Sequence, residues 1–256
     1  MVNQLNALAR GSKVVLALCT LLALASCVSM PVSERNPLAR WEASPNHEPR
    51  RPILIVIHAT EQDSVEESLQ TLRTANSGGP VSSHYLIGRD GQRYQLVADD
   101  QRAWHAGGGH WGTITDVNSV SLGIELDNNG RDEFAPAQID SLLVLLGDLC
   151  ERHDIPRTQI VAHADFAPTR KQDPGTRFPW QRLAQAGFGR WPAADAPPAA
   201  EGFDPWNALR LLGYPLSDRA ATVRAFHRRY RGTDGDQLDV EDLRILSSLL
   251  SQVEGS

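Results

Sequence analysis

The run Ile53-Leu54-Ile55-Val56-Ile57 constrains this chain more than any other feature: it is apolar throughout, mostly β-branched, and closed by Pro52 before it and His58 after it. Too short for a buried helix and lacking the alternation of a half-exposed strand, it reads as a strand covered on both faces. Such a strand needs layers above and below, and the downstream pattern supplies them. Ser64-Val65-Glu66-Glu67 is a capping-box sequence that opens a helix to about Arg73. Residues 84–89 and 92–97 flank Asp90-Gly91, a strong short-range hairpin signal. A further strand is predicted over 120–126 (VSLGIEL), and another over 159–163. Between them, Ile139, Leu142, Leu143, Leu146, Leu149 and Cys150 recur at helical spacing over 136–153 and mark one buried face. Strands and helices therefore interleave over 52–186, which predicts an α/β domain, with helices flanking a mixed sheet.

The flanks differ in kind. Arg10 and Lys13 precede the apolar run 14–25, which is too short for the ~20 residues of a membrane span and fits the core of an export signal. It ends in Leu24-Ala25-Ser26-Cys27, which resembles a bacterial lipobox, so 1–26 is expected to be a signal peptide and Cys27 the lipidated first residue. Residues 27–51, with Pro31, Pro37, Pro45 and Pro49 among polar residues, are expected to form a tether. After the main domain, taken as 52–190, a Pro/Ala-rich linker is expected over 191–203. Amphipathic segments at about 204–213, 217–231 and 238–253 then predict a small three-helix module over 204–256.

Composition excludes several classes. The chain has 256 residues, 41% of them hydrophobic, with 31 acidic against 25 basic side chains and only 3 Cys, so disorder and a disulfide scaffold are ruled out. A net charge of -6 with no basic block argues against nucleic acid as a partner. Candidate chemistry lies at strand ends. His58 closes the first buried strand, His163 closes the last, and Asp173 follows in the polar turn Arg170-Lys171-Gln172-Asp173-Pro174-Gly175. Two imidazoles and one carboxylate with a fourth position open form the coordination set of a catalytic zinc. A rival set, His163-Ala164-Asp165 as part of a non-haem iron triad, lacks a distal His on a suitable strand, and Asp165 is more simply a turn or capping residue.

Six strings taken together, Val56-Ile57-His58-Ala59-Thr60, Ser82-Ser83-His84-Tyr85-Leu86-Ile87, Arg89-Asp90-Gly91, Ala103-Trp104-His105-Ala106-Gly107, Leu122-Gly123-Ile124-Glu125-Leu126 and the segment 163–175, resemble the zinc-dependent N-acetylmuramoyl-L-alanine amidases of the type 2 amidase family. They occur in that family's order and span 52–190. The resemblance implies zinc on His58, His163 and Asp173, with Glu125 moving protons and Lys171 facing the oxyanion. It further implies hydrolysis of the bond between N-acetylmuramic acid and L-alanine in peptidoglycan or muropeptides. Some members carry a Tyr where this chain has Ser83, so proton transfer falls to Glu125. Trp104 is expected either to face a sugar ring or to pack in the core, His105 to stand at a groove wall beside the mobile Gly107-Gly108-Gly109, and His84 to contact substrate or orient neighbours.

A non-catalytic lipoprotein that binds peptidoglycan and ties the outer membrane to the wall is the alternative, and the filled ligand set weighs against it. A generic metallopeptidase would be expected to carry His-Glu-x-x-His, which is absent. With Val28 rather than Asp after the lipidated Cys, resemblance to known lipoproteins places the chain on the periplasmic face of a Gram-negative outer membrane.

Overall fold

The computed structural model describes residues 35–49 and 52–254. Its strands are β1 (Arg40–Trp41), β2 (His47–Pro49), β3 (Leu54–Ala59), β4 (Ala75–Asn76), β5 (Gly79–Pro80), β6 (Tyr85–Ile87), β7 (Arg93–Gln95), β8 (Gln101–Ala103), β9 (Ser121–Leu126) and β10 (Ile160–Ala162). The helices are α1 (Val65–Leu72), α2 (Val117–Val120), α3 (Pro136–His153), α4 (His163–Phe166), α5 (Trp180–Gln185), α6 (Pro205–Leu212), α7 (Arg219–Tyr230) and α8 (Val240–Glu254). A sheet of order β1-β7-β6-β9-β3-β10 forms the centre. Strands β6, β9, β3 and β10 run parallel, whereas the β6–β7 hairpin is antiparallel, so the sheet is mixed as expected.

The strand β3 is buried throughout, and its alternate residues enter different cores. Ile55, Ile57 and Ala59 pack with Leu142, Leu146 and Leu149 of α3, while Leu54 and Val56 pack with Val117, Val161 and Phe166. This period of two assigns every later residue on these strands to a face. Ser64 caps α1, its Oγ accepting from the Glu67 amide at 3.2 Å. Gly91 turns the hairpin at φ +84, and a Cβ there would lie 2.8 Å from the Ala137 carbonyl oxygen, which excludes larger residues. On α3 the buried face includes Leu145, with Leu143 only partly buried, a shift of less than one turn from the predicted stripe.

Two flanking expectations need correction. The tether predicted over 27–51 is not free over 35–49: β1 pairs with β7, β2 pairs with β8, and the Asn36 amide donates to Gln95 Oε1 at 2.7 Å. Without β1, β7 would present an open edge, and two paired residues suffice to cover it. Residues 191–203 contain no helix or strand, yet they lie against α8 rather than spanning a gap. The Ala193 amide donates to Ser248 Oγ at 2.9 Å and Gln252 Nε2 donates to the Trp191 carbonyl at 2.9 Å. The helices α6–α8 match the predicted segments, and Leu209, Phe226 and Leu246 join the same hydrophobic cluster as Ile55 and Leu142. The signal peptide expected over 1–26 and the lipidated Cys27 lie outside the described residues. Among the described residues no helix is long and apolar enough to cross a membrane.

Candidate metal centre and active site

Sheet parity builds the site. With Leu54 and Val56 on one face, His58 follows them; on β9, Leu122, Ile124 and Leu126 enter the α3 core, so Ser121, Gly123 and Glu125 turn to the face of His58. In the parallel register His58 lies opposite Glu125, and Ile57 opposite Ala162, which brings His163 alongside at the first residue of α4. Glu125, His58 and His163 thus stand in a row at the carboxyl ends of adjacent parallel strands, where open α/β sheets bind their ligands. Asp173 arrives on the following loop, which is tied back by the Ala164 amide donating to the Asp173 carbonyl at 3.0 Å.

The donor atoms converge. His58 Nδ1 lies 2.9 Å from His163 Nδ1, and Asp173 Oδ2 lies 3.1 Å from the first and 3.2 Å from the second. The far nitrogens are occupied: His163 Nε2 bonds the Ala106 carbonyl at 2.9 Å, and His58 Nε2 meets His105 Nδ1 at 3.0 Å. Burial, followed by the charge of His163, lowers the His58 pKa to about 4, against the weaker pull of Asp173, so the ring is neutral at pH 7 as a ligand must be. Burial would raise the Asp173 carboxyl, but the two imidazoles against it, His163 before His58, outweigh it and hold the group well below the usual carboxylate range. Three ligand atoms within 4.8 Å of one another, two imidazole and one carboxylate, with a pocket on the open side, fit a metal ion of borderline hardness.

The pocket, about 110 Å³, is lined by the trio together with Thr60, Glu61, Trp104, His105, Glu125 and Lys171. Glu125 Oε1 is 3.9 Å from His58 Nδ1. Burial, reinforced by the Asp173 charge and opposed by Lys171, pushes the Glu125 carboxyl up to about 8. A cation held among the three donors would act in the opposite sense and lower the Glu125 carboxyl. Lys171 reaches the same pocket from the turn before Asp173.

The remaining expectations divide. Trp104 is half-buried on the pocket wall, so its ring is available to a ligand. His105 also lines the pocket, but its two ring nitrogens are engaged by His58 and Ser121. His84 is absent from the pocket lining, which corrects the expected substrate contact and leaves the other expected role, orienting neighbours: it is fully buried, with Nε2 bonded to the Gln101 carbonyl at 2.9 Å and Nδ1 accepting the Gly123 amide at 3.0 Å. It pins neighbouring strands, because the sheet face it occupies is covered there. Arg170 Nη2 donates to the Ala106 carbonyl at 2.7 Å and to the Gly108 carbonyl at 2.5 Å, holding the glycine stretch in place. Asp165 points away from the metal donors, accepting from the Ala162 amide at 2.8 Å, from Tyr214 at 3.0 Å and from Arg229 at 2.5 Å. Arg170, Tyr214 and Arg229 escaped the sequence reading, since backbone carbonyls and partners 49 or 64 residues distant leave no local spacing.

The model of the family Amidase_2, N-acetylmuramoyl-L-alanine amidase, matches residues 48–176. N-acetylmuramoyl-L-alanine amidase AmiD of Escherichia coli (strain K12) is 44% identical over an alignment of 234 residues that covers 78% of this chain and 82% of the relative. The structure of E. coli AmiD with the substrate anhydro-N-acetylmuramic acid-L-Ala-D-gamma-Glu-L-Lys superposes with a TM-score of 0.69 at 36% identity, covering 80% of this chain and 90% of that one. AmpDh3 of Pseudomonas aeruginosa in complex with anhydromuramic pentapeptide gives a TM-score of 0.70 at 29% identity, covering 86% and 98%. This chain belongs to the N-acetylmuramoyl-L-alanine amidase family Amidase_2.

Proposed function

We propose that this chain is a zinc-dependent amidase that cleaves the amide between N-acetylmuramic acid and L-alanine in peptidoglycan fragments, anhydro-muropeptides included, and that lipids on Cys27 hold it to the periplasmic face of the outer membrane. The observation that carries the catalytic part is the convergence of His58 Nδ1, His163 Nδ1 and Asp173 Oδ2 beside Glu125 and Lys171 in one pocket. The peptide-bearing anhydromuramic ligands of the two related structures support the substrate class.

His58, His163 and Asp173 would hold the zinc, which when bound would lower the pKa of a water and polarise the scissile carbonyl. Glu125, shielded from solvent beside His58, accepts the proton of the attacking water and returns it to the departing amide nitrogen, acting first as base and then as acid. Lys171 places a positive charge near the carbonyl oxygen as negative charge grows on it. Ser83 is buried with its hydroxyl outside any hydrogen bond, which leaves proton transfer to Glu125. Trp104 offers its half-exposed ring to the sugar.

Mass spectrometry of anhydro-muropeptides and intact wall fragments incubated with the zinc-loaded protein tests this reading. Separation of sugar from peptide is the expected result; binding without cleavage would favour the non-catalytic tether. Membrane fractionation of Cys27→Ser tests the anchor, with release into the soluble fraction expected.

A further inference from the structure

The two histidines of the metal trio are oriented by different means. His163 Nε2 faces the Ala106 carbonyl at 2.9 Å, an acceptor that takes only a donated proton and lies nearer than Arg170 Nη2 at 3.4 Å, whose own hydrogens go to the Ala106 and Gly108 carbonyls, so Nδ1 is left bare toward the metal. His58 Nε2 faces another imidazole, His105 Nδ1, which by itself either gives or takes a proton. If His105 carried its proton on Nδ1, His58 would accept it on Nε2 and present a protonated Nδ1 to the metal, which cannot bind.

The ambiguity is resolved one residue further out. His105 Nε2 lies 3.2 Å from Ser121 Oγ, and the Ser121 hydroxyl donates its one hydrogen to the Val117 carbonyl at 2.6 Å. Ser121 can therefore only accept from His105. That places the His105 proton on Nε2, bares its Nδ1, and requires His58 to carry its own proton on Nε2. The chain of donors runs from His58 through His105 and Ser121 to a main-chain carbonyl with no freedom to reverse. Space for it is built into β9. A Cβ at Gly123 would lie 2.6 to 2.8 Å from ring atoms of His105, so glycine in mid-strand lets the imidazole lie flat against the backbone.

We propose that Ser121 and His105, seated against Gly123, are positioning residues that fix His58 in the one tautomer able to donate Nδ1 to the metal. The proposal rests on the reading of His58 as a metal ligand, and the test separates the two. Nitrogen-15 NMR of histidine-labelled full-length protein reads both tautomers directly, without and with zinc. Protons on Nε2 of both His58 and His105, already present before zinc is added, are expected; a proton on His105 Nδ1 overturns the relay. Zinc affinity, measured by chelator competition, is expected to fall about 10- to 100-fold in Ser121→Ala and His105→Leu. His105→Asn, whose side-chain oxygen can accept where Nδ1 does, is expected to recover most of that loss, which a role in packing alone would not produce. Wild-type affinity in Ser121→Ala also overturns the relay. If the wild type takes up no zinc, the ligand reading fails, and the zinc-free tautomers still decide the relay.

Discussion

The cluster at His58, His163 and Asp173 and the cluster at His227 and Asp242 are made of the same residue types, equally buried, yet they are opposites electrostatically. In the second, Asp242 is saturated by donors: His227 Nε2 at 2.8 Å, Arg231 Nη1 at 2.7 Å and the Asp239 amide at 2.8 Å. The Arg231 charge compensates the carboxylate, and the group serves the start of α8. In the first, Asp173 Oδ2 faces two Nδ1 atoms, and the tautomers proposed above put the ring protons on the far side, so lone pairs converge; the nearest guanidinium, that of Arg170, meets only the far nitrogen of His163 at 3.4 Å. Buried histidine and aspartate do not by themselves make a metal site; what matters is whether donors or acceptors are in excess at the point where they meet.

The largest expected effect breaks this contrast directly. Asp173→Ala should lose metal affinity by more than the roughly 100-fold typical of an outer partner, and activity with it. His227→Ala should keep its zinc and turnover while its melting temperature drops. Elemental analysis and calorimetry on both proteins check the pair. Loss of zinc from His227→Ala would erase the distinction.

Next come Glu125 and Lys171, the groups proposed to meet the reacting atoms. Glu125→Ala should keep metal and fold but lose about 10²- to 10⁴-fold in kcat, and Lys171→Ala about 10²- to 10³-fold. If either were only a salt-bridge partner, the melting temperature would fall and kcat would hold.

Behind His163 lies the buried pair of Asp165 and Arg229, which ties α7 to α4. Arg229 also donates to the Ile160 carbonyl at 2.8 Å and lies 4.2 Å over the Trp180 ring. Arg229→Met leaves a buried carboxylate without its cation and should cost about 3 kcal/mol in stability, measured by denaturant unfolding of the full chain.

The smallest effect concerns pH. Asp99, fully buried, is opposed by desolvation but receives His153, Tyr85 and Arg152, which hold its pKa below the ordinary value. A carboxylate depressed in the folded state contributes stability that is complete above its unfolded pKa of about 3.9 and is lost as pH falls toward the folded value. Wild-type melting temperature should therefore fall with acidification below about pH 4, and Asp99→Asn should flatten that limb while lowering stability at neutral pH.

Legibility followed length and period. β3, the Asp90-Gly91 hairpin and α3 carry patterns long enough to stand alone, and their observed bounds lie close to those expected. β1 and β2, of two and three residues, have no period to detect, so their segment read as tether. His58, His163 and Asp173 were visible because strand ends and a polar turn mark where side chains reach a pocket. Which of its two expected roles His84 takes was not legible, because a histidine in a strand looks the same whether its face is open or covered.

What the amino-acid sequence determined alone is what depends on neighbours along the chain: alternation, helical spacing, caps, turns and the residue types able to hold a metal. Tertiary structure alone decided what depends on atoms brought together from afar. The register of β9 against β3 set Glu125 beside His58, the Ser121 hydroxyl set a tautomer two side chains away, and Arg229 found Asp165 across 64 residues. Hydrogen bonds and charges act over a few ångströms of space, and only the folded chain states which residues lie within that distance.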